Sequence, residues 1–222
     1  MKLGNIALVV ALASSPLAPP VGAQSVSTTI DRAVAAWAKA TTARAAFDQT
    51  ITNSITGGTA TSHGEFLQQR PDRLAIHFND DGGRVVSDGK YLWIYMPTSA
   101  PGQVIKRLTN EDGGGAPIDI TGQFLDEPRA KYDITAAGRD TTGDAAQVLS
   151  LVPKTGQAAP FTRAKVWVSD KDALIREFEV VERNGVTRHV RLTSLELNVP
   201  IEQSAFTFKV PKGVKVVDQT GR

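Results

Sequence analysis

The first part of the chain after residue 27 carries apolar side chains at helical spacing. Ile30, Val34 and Trp37 recur every three or four positions, and Thr28 precedes them as a candidate N-cap with Asp31 three residues later. A run with this period buries one stripe of side chains against a neighbour. The pattern predicts one amphipathic helix from about residue 28 to residue 42.

From residue 43 onward the apolar period changes to two. Ala43, Phe47 and Ile51 alternate with largely polar neighbours, and Gly57-Gly58 then marks a turn. Further strands are predicted between turn signals at Ser62 to Gln69, Arg73 to Phe78, Arg84 to Ser87, Tyr91 to Met96, Gln103 to Leu108, Tyr132 to Ala136, Ala146 to Val152, Thr162 to Ser169, Leu174 to Glu182, Val186 to Leu197, and around Phe206 and Phe208. About a dozen short strands at hairpin spacing predict one large antiparallel sheet.

The stretch from Asn110 to Pro128 interrupts this rhythm. Gly113-Gly114-Gly115 leads into the weakly apolar run from Pro117 to Leu125. We interpret it as a flexible entry to a short helix that packs back on the sheet. The chain shows no internal repeat and no shift in composition, so residues 24–222 are expected to form one domain.

The N-terminus has the pattern of an export signal. Lys2 precedes the apolar run Ile6 to Ala13, and small residues, prolines and Val21-Gly22-Ala23 follow. We expect residues 1–23 to be a signal peptide that is cleaved near Ala23. A permanent membrane anchor is the weaker alternative, because the run is far shorter than the roughly 20 residues that span a bilayer.

Composition narrows the class of protein. The 222 residues are 41% hydrophobic, the formal net charge is +2, and there is no cysteine. A nearly neutral chain offers no basic field for nucleic acid, so no nucleic-acid partner is expected. Without cysteine the exported protein has no disulfides and no acylated N-terminal cysteine. We expect a monomer in a bacterial periplasm.

No residue pattern makes a convincing catalytic or metal site. The histidines His63, His77 and His189 are scattered, so neither a metal nor another cofactor is expected. Ser87 to Lys90 matches SxxK and Lys154 to Gly156 matches KTG, but no SDN lies between them. Pairs of adjacent acids, which a glycosidase could use, occur at Asp80-Asp81, Glu111-Asp112 and Asp126-Glu127. Each pair lies in a turn-like stretch, where solvent-exposed carboxylates are ordinary. We expect no enzymatic activity.

The hydrophobic strands offer a different candidate function. Both faces of Tyr91 to Met96 are apolar or aromatic, and Leu74, Ile76 and Phe78 form another inward row. One interpretation is an ordinary core between the sheet and the helix. The other is a concave sheet whose inner face is incompletely filled and receives an apolar ligand.

Three segments together resemble the periplasmic outer-membrane lipoprotein carrier family LolA. Residues 64–74 read GEFLQQRPDRL, residues 86–95 read VSDGKYLWIY, and residues 206–218 read FTFKVPKGVKVVD. The strand followed by Arg-Pro, the Ser-Asp-Gly-Lys turn and the Phe-Thr-Phe-x-x-Pro-x-Gly run occur in the family's order. The match in order and spacing extends over nearly the whole exported chain.

The resemblance implies a fold and a site. The fold would be α+β and mainly β, an incomplete antiparallel β-barrel of about eleven strands covered by the N-terminal helix and a short mid-chain helical lid. In the family the arginine of the Arg-Pro motif bonds the lid and keeps the empty cavity closed; here it is Arg70, expected to donate to lid carbonyls near Pro117 to Phe124. Alternation lets only one side-chain row of each strand face inward, and we take the heavier row. The expected acyl-chain cavity is then lined by Trp37, Phe47, Phe66, Leu74, Ile76, Phe78, Trp93, Tyr95, Ile118, Ile120, Phe124 and Leu125.

The resemblance also implies partners. The family accepts acylated outer-membrane lipoproteins from an inner-membrane lipoprotein-releasing ABC transporter and passes them to an outer-membrane lipoprotein receptor. That receptor has a similar fold but is itself acylated, so the missing lipobox cysteine favours the carrier. In the family, several large apolar residues follow the proline that aligns with Pro117. In this chain the residues after Pro117 are Ile118, Asp119, Ile120 and Thr121, of which two are polar. A periplasmic glycolipid- or hydrophobe-binding protein, and an envelope-stress sensor or scaffold, therefore remain alternatives.

Overall fold

A single twelve-stranded sheet organises the computed structural model, which describes residues 21–109, 119–157 and 159–221. The strands are β1 Thr42–Asn53, β2 Thr59–Gln69, β3 Arg73–Phe78, β4 Arg84–Asp88, β5 Tyr91–Tyr95, β6 Gln103–Leu108, β7 Tyr132–Asp140, β8 Ala146–Pro153, β9 Phe161–Ser169, β10 Ile175–Glu182, β11 Val186–Leu197 and β12 Lys215–Asp218. Their spatial order is β12-β6-β5-β4-β3-β2-β1-β11-β10-β9-β8-β7.

Apart from β12, the sheet consists of two antiparallel meanders joined at its centre. β1 pairs with β2 on one side and with β11 on the other, so the two halves of the chain meet there. Among the described strands, β12 and β7 are the two edges, and no pairing between them closes the sheet. The mainly β class and the large, incompletely closed antiparallel sheet are confirmed, with twelve strands instead of about eleven.

The C-terminal strand prediction is wrong in position. The run around Phe206 and Phe208 forms a 3-10 helix at Gln203–Phe206 followed by irregular chain. Phe206 is only 1% exposed because it packs with Leu67 and Val86 across the strands. The strand that does form is β12, which pairs in parallel with β6.

The N-terminal helix, α1, spans Val21–Ala38 and therefore begins and ends earlier than predicted. Thr28 lies inside α1 and is therefore not its N-cap. The helix can extend back to Val21 because no proline after Pro20 interrupts it. The helix stops before Thr41, whose backbone N–H and hydroxyl both bond to the side chain of Asn198. That contact directs the backbone into β1. The expected cleavage point near Ala23 falls in the first turn of α1, and residues 1–20 lie outside the described part.

The core lies between α1 and one face of the sheet, here called the inner face. Ile30, Ala33 and Trp37 of α1 are at most 4% exposed and belong to one cluster with Phe66 and Phe178. The mid-chain segment joins this cluster through a 3-10 helix at Gly122–Phe124, and α2, Pro128–Lys131, follows it. The predicted entry at Gly113 to Gly115 lies outside the described residues.

The outer face of β2 to β5 is covered by the C-terminal segment. Leu67, Ala75 and Val86 form a second buried cluster with Phe206, and Phe208 packs against it. Side chains therefore pack against both faces of these strands, which accounts for the apolar and aromatic run from Tyr91 to Met96. Within the described ranges, no helix is both long and apolar enough to cross a membrane.

Candidate functional site

An apolar cavity of about 500 Å³ lies on the inner face of the sheet. Apolar side chains from β1 to β5 form one wall, and β9 to β11 form the wall opposite. The lining residues are Phe47, Gln49, Phe66, Leu74, Ile76, Phe78, Val85, Ile94, Met96, Ile120, Thr121, Gln123, Pro160, Phe161, Phe178, Val180, Glu182, Arg188, Val190 and Leu192.

Strand alternation explains the composition of the first wall. Phe66 is opposite Ile76, Ile76 is opposite Val85, and Val85 is opposite Ile94. Directly paired residues point to the same face, so these four side chains form one row across the sheet. The row supplies apolar surface and no charge.

The size of the cavity limits what it holds. An apolar cavity of about 150 Å³ accommodates benzene, a molecule of six carbon atoms. In proportion, 500 Å³ has room for on the order of twenty carbon atoms. The cavity therefore has about the volume of one long hydrocarbon chain.

A latch of polar contacts ties α1, β2 and the mid-chain segment together. Arg70 follows β2 and donates from Nη1 to the carbonyl oxygens of Trp37, at 3.0 Å, and Ala40, at 3.3 Å. The last carbonyls of a helix lack intrahelical partners and attract cations, so a guanidinium stabilises this end of α1. Its Nε also lies 3.5 Å from Oδ2 of Asp119.

Asp119 is the residue that links the latch to the mid-chain segment. Its Oδ2 accepts a hydrogen bond from Nε1 of Trp37 at 3.0 Å, and its Oδ1 accepts one from the backbone N–H of Gly122 at 2.7 Å. A Cβ at position 122 would lie 2.0 Å from Oδ2, so a larger residue there would displace this carboxylate from its present position. The carboxylate therefore holds the 3-10 turn onto α1 and Arg70 together.

Other candidate chemistry is used structurally. Ser87 of the SxxK match is fully buried and donates to the carbonyl of Asp72 at 2.6 Å. On the outer face, burial raises the pKa of Glu177, but hydrogen bonds from His189 and Arg191 outweigh it and hold that pKa below its usual range. No group of three or more metal-ligating side chains occurs in the described ranges.

Comparison with known proteins decides the family. A family model described as outer membrane lipoprotein carrier protein LolA matches residues 38–209. The chain belongs to this family. An outer-membrane lipoprotein carrier protein of Serratia proteamaculans (strain 568) is 29% identical over 185 residues, covering 82% of this chain and 84% of that protein. One of Erwinia tasmaniensis is 30% identical over 182 residues, covering 78% and 81%.

A solved structure supports the fold. An uncharacterized conserved protein from Thermus thermophilus matches with a TM-score of 0.52 and 14% identity. The match covers 88% of this chain and all of the other. At this identity the likeness extends to the fold alone.

Six of the residues predicted for the acyl-chain cavity line the observed one. They are Phe47, Phe66, Leu74, Ile76, Phe78 and Ile120. Trp37, Phe124 and Leu125 are buried in the same core cluster but do not reach the lining. Phe124 instead packs between Phe161 and Phe178, with ring centroids 5.8 Å and 5.4 Å away. Ile118 lies outside the described residues.

The structure places Trp93 and Tyr95 on the outer face instead. Phe208 lies 5.6 Å from the ring of Trp93 and 6.1 Å from that of Tyr95. Ile94 and Met96 line the cavity in their place. The larger side chains of β5 point outward because the C-terminal segment supplies an aromatic partner there, whereas the sequence reasoning assigned the heavier row to the cavity.

The second wall was absent from the predicted lining. Phe178 and Val180 of β10, and Val190 and Leu192 of β11, all contribute to it. The alternation of Phe178 and Val180 with Glu177 and Glu179 was the available signal for this face.

The latch also differs from the LolA-based expectation. Arg70 was expected to donate to carbonyls of the lid near Pro117 to Phe124, but among the described residues the carbonyls that accept its bonds belong to Trp37 and Ala40. The described part of the lid contributes the carboxylate of Asp119 instead. The locking role of Arg70 stays a prediction.

We expect Thr121→Val to raise the free energy of unfolding by about 1 kcal/mol. Thr121 is 1% exposed, and its hydroxyl has no hydrogen-bond partner among the described residues. Valine keeps the shape and removes the buried polar group. Urea denaturation measures the change, with Thr162→Val as the control, since that hydroxyl donates to Val181 at 3.0 Å and its loss should not stabilise. A less stable Thr121→Val variant would contradict the expectation.

Photocrosslinking tests the face assignment. Ile76 lines the cavity, whereas the adjacent His77 belongs to the opposite parity of β3. A crosslinker at position 76 is expected to label a bound acylated lipoprotein strongly, and one at position 77 only weakly. Equal labelling from both positions would contradict an inner-face site.

Proposed function

We propose that the protein is a periplasmic carrier that shields the acyl chains of lipoproteins. It accepts acylated outer-membrane lipoproteins from an inner-membrane lipoprotein-releasing ABC transporter and delivers them to an outer-membrane lipoprotein receptor. The observation that carries the proposal is the apolar cavity of about 500 Å³ on the inner face. Membership of a family whose relatives are named lipoprotein carriers supports the choice of cargo.

The energetic need for such a cavity follows from the hydrophobic effect. Each methylene removed from water contributes about 0.8 kcal/mol, so one long acyl chain left exposed costs on the order of 10 kcal/mol. A lipoprotein does not cross an aqueous compartment at that cost. Burial between the two walls of the sheet removes most of it.

The latch supplies the means of release. Arg70 and Asp119 hold the described part of the lid against α1 when the cavity is empty. Opening for cargo breaks these contacts, so the closed empty state opposes loading and favours delivery. A cargo with more than one acyl chain exceeds the closed volume and requires the opening.

The test is reconstitution with the exported chain, residues 24–222. Purified protein is incubated with membranes that release an acylated lipoprotein, and the soluble complex and its transfer to receptor-bearing vesicles are measured. The same lipoprotein without acyl chains serves as the cargo control. Wild-type protein is expected to hold and transfer only the acylated form.

A matched pair of variants separates the cavity from general surface effects. Ile76→Glu places a charge in the lining, where burying it is costly. Ile55→Glu makes the same change at a position that is 82% exposed, in the turn between β1 and β2. Loss of cargo in the first variant and not in the second is expected. Failure of the wild type to hold acylated cargo would overturn the proposal.

A further inference from the structure

Polar side chains gather at one end of the cavity. On β1, the lining residue that follows Phe47 toward the β1–β2 turn is Gln49. On β11, the lining residue that precedes Val190, nearer the β10–β11 turn, is Arg188. Glu182 holds the corresponding position at the end of β10, after Val180. These positions are the nearest in the lining to the β1–β2 and β10–β11 turns.

Water reaches this polar end of the site. The side chains of Arg188 and Glu182 are 34% and 28% exposed, whereas Val190, one inward step along β11, is 7% exposed. The three residues Gln49, Glu182 and Arg188 therefore form a polar rim at this end of the cavity, with Gln49 buried and the two charged side chains partly exposed.

The rim is already a connected hydrogen-bond network. Arg188 donates from Nη1 to Oε1 of Gln49 at 2.7 Å, and from Nη2 and Nε to Oε1 of Glu182 at 3.2 Å and 3.4 Å. Gln49 donates in turn to Oγ of Ser62 at 2.9 Å. An arginine has five N–H donors, so these contacts leave two for a ligand.

The charge of the rim sets which ligands fit. Glu182 and Arg188 are the charged members of the lining as described, and their formal charges cancel. An anionic headgroup that accepts from the remaining N–H groups of Arg188 lies beside the carboxylate of Glu182, which repels it. A neutral carbonyl accepts one of the remaining N–H groups and leaves the ion pair intact.

We propose that the rim of Gln49, Glu182 and Arg188 selects acyl chains that end in a neutral ester or amide over chains that end in an anion. The inference rests on the proposed function, because acyl chains attached to a protein end in ester or amide bonds. A carrier built this way admits lipoprotein chains and discriminates against free fatty acids. The carbonyl binds at Arg188 while the chain lies between the two walls.

Two probes of equal chain length test the selection. Monolauroylglycerol carries a neutral ester, and dodecanoate is ionised at about pH 8. Titration calorimetry of the exported chain, below the micelle concentrations, gives both dissociation constants. The wild type is expected to bind the ester about tenfold more tightly than the anion.

Two rim variants are expected to move this ratio in opposite directions. Glu182→Gln leaves Arg188 without its carboxylate and should reduce the preference for the ester by roughly tenfold. Arg188→Gln leaves Glu182 to repel the anion, so the preference should increase even though the ester itself binds several-fold more weakly. Glu179→Gln, on the outer face of the same strand, is the control and should change neither constant.

Each outcome is decisive. Opposite shifts in the two variants, with Glu179→Gln unchanged, support the inference. Equal affinity for the two probes in the wild type, or a ratio that Glu182→Gln leaves unaltered, overturns the inference and leaves the carrier proposal standing. Binding of neither probe overturns both proposals. Circular dichroism of each variant confirms that the fold is kept.

Discussion

Arg70→Leu is expected to leave cargo loading intact and to reduce transfer to the receptor by roughly ten- to a hundredfold. In the closed state Arg70 donates to two carbonyls near the end of α1 and lies 3.5 Å from the carboxylate of Asp119. A charged hydrogen bond contributes about 1.5 to 3 kcal/mol, and partial exposure of this side chain favours the lower end. Under the proposed function, wild-type cargo binding includes the cost of breaking these bonds.

The direction of the effect follows from population shift. Leucine removes the contacts that stabilise the closed state, so cargo is bound without that cost and is held more tightly. Loading from the transporter and delivery to receptor-bearing vesicles are measured separately. Arg163→Leu, at an exposed position on β9, is the control. A stable Arg70→Leu variant with unchanged delivery would show that Arg70 acts as an ordinary surface arginine.

The positions of most strands could be predicted from the sequence because their signals are local. β3, β6 and β11 have the predicted bounds, since turn residues or prolines flank alternating runs. β12 has only four residues and pairs in parallel with β6, more than a hundred residues away along the chain. So short a run has no recognisable period, and its pairing depends on the tertiary path.

The site was predictable to the extent that one strand face differs from the other. β3 alternates clearly, and Leu74, Ile76 and Phe78 lie where the pattern put them. β5 is apolar on both faces, so alternation could not decide between Trp93 and Ile94. Asp119 reaches Trp37 across 82 residues, and nothing local to either residue signals that contact. The partners of Asp119 depend on the path by which the mid-chain segment returns to α1.

Gly64→Ala is expected to reduce the free energy of unfolding by about 3 kcal/mol or more, because it overfills the sheet at the cavity wall. Gly64 of β2 lies between Phe47 and Phe78 in the register. A Cβ there would be 2.2 Å from the backbone oxygen of His77 and 2.6 Å from Cζ of Phe47. The Phe47 ring packs edge-on against Phe78 at 5.7 Å, so it cannot move aside without losing that contact.

Thermal unfolding gives a direct measure of this strain. A loss of about 3 kcal/mol in a domain of this size corresponds to a melting temperature lower by about 6 to 12 °C. Gly58→Ala, just before the same strand, is the matched control, since its nearest neighbour is the hydroxyl of Thr56 at 3.3 Å. That variant should remain within about 0.5 kcal/mol of the wild type. Equal melting temperatures for the two variants would mean that β2 and β3 separate at little cost, and that the cavity wall is less tightly packed than the Gly64 contacts require.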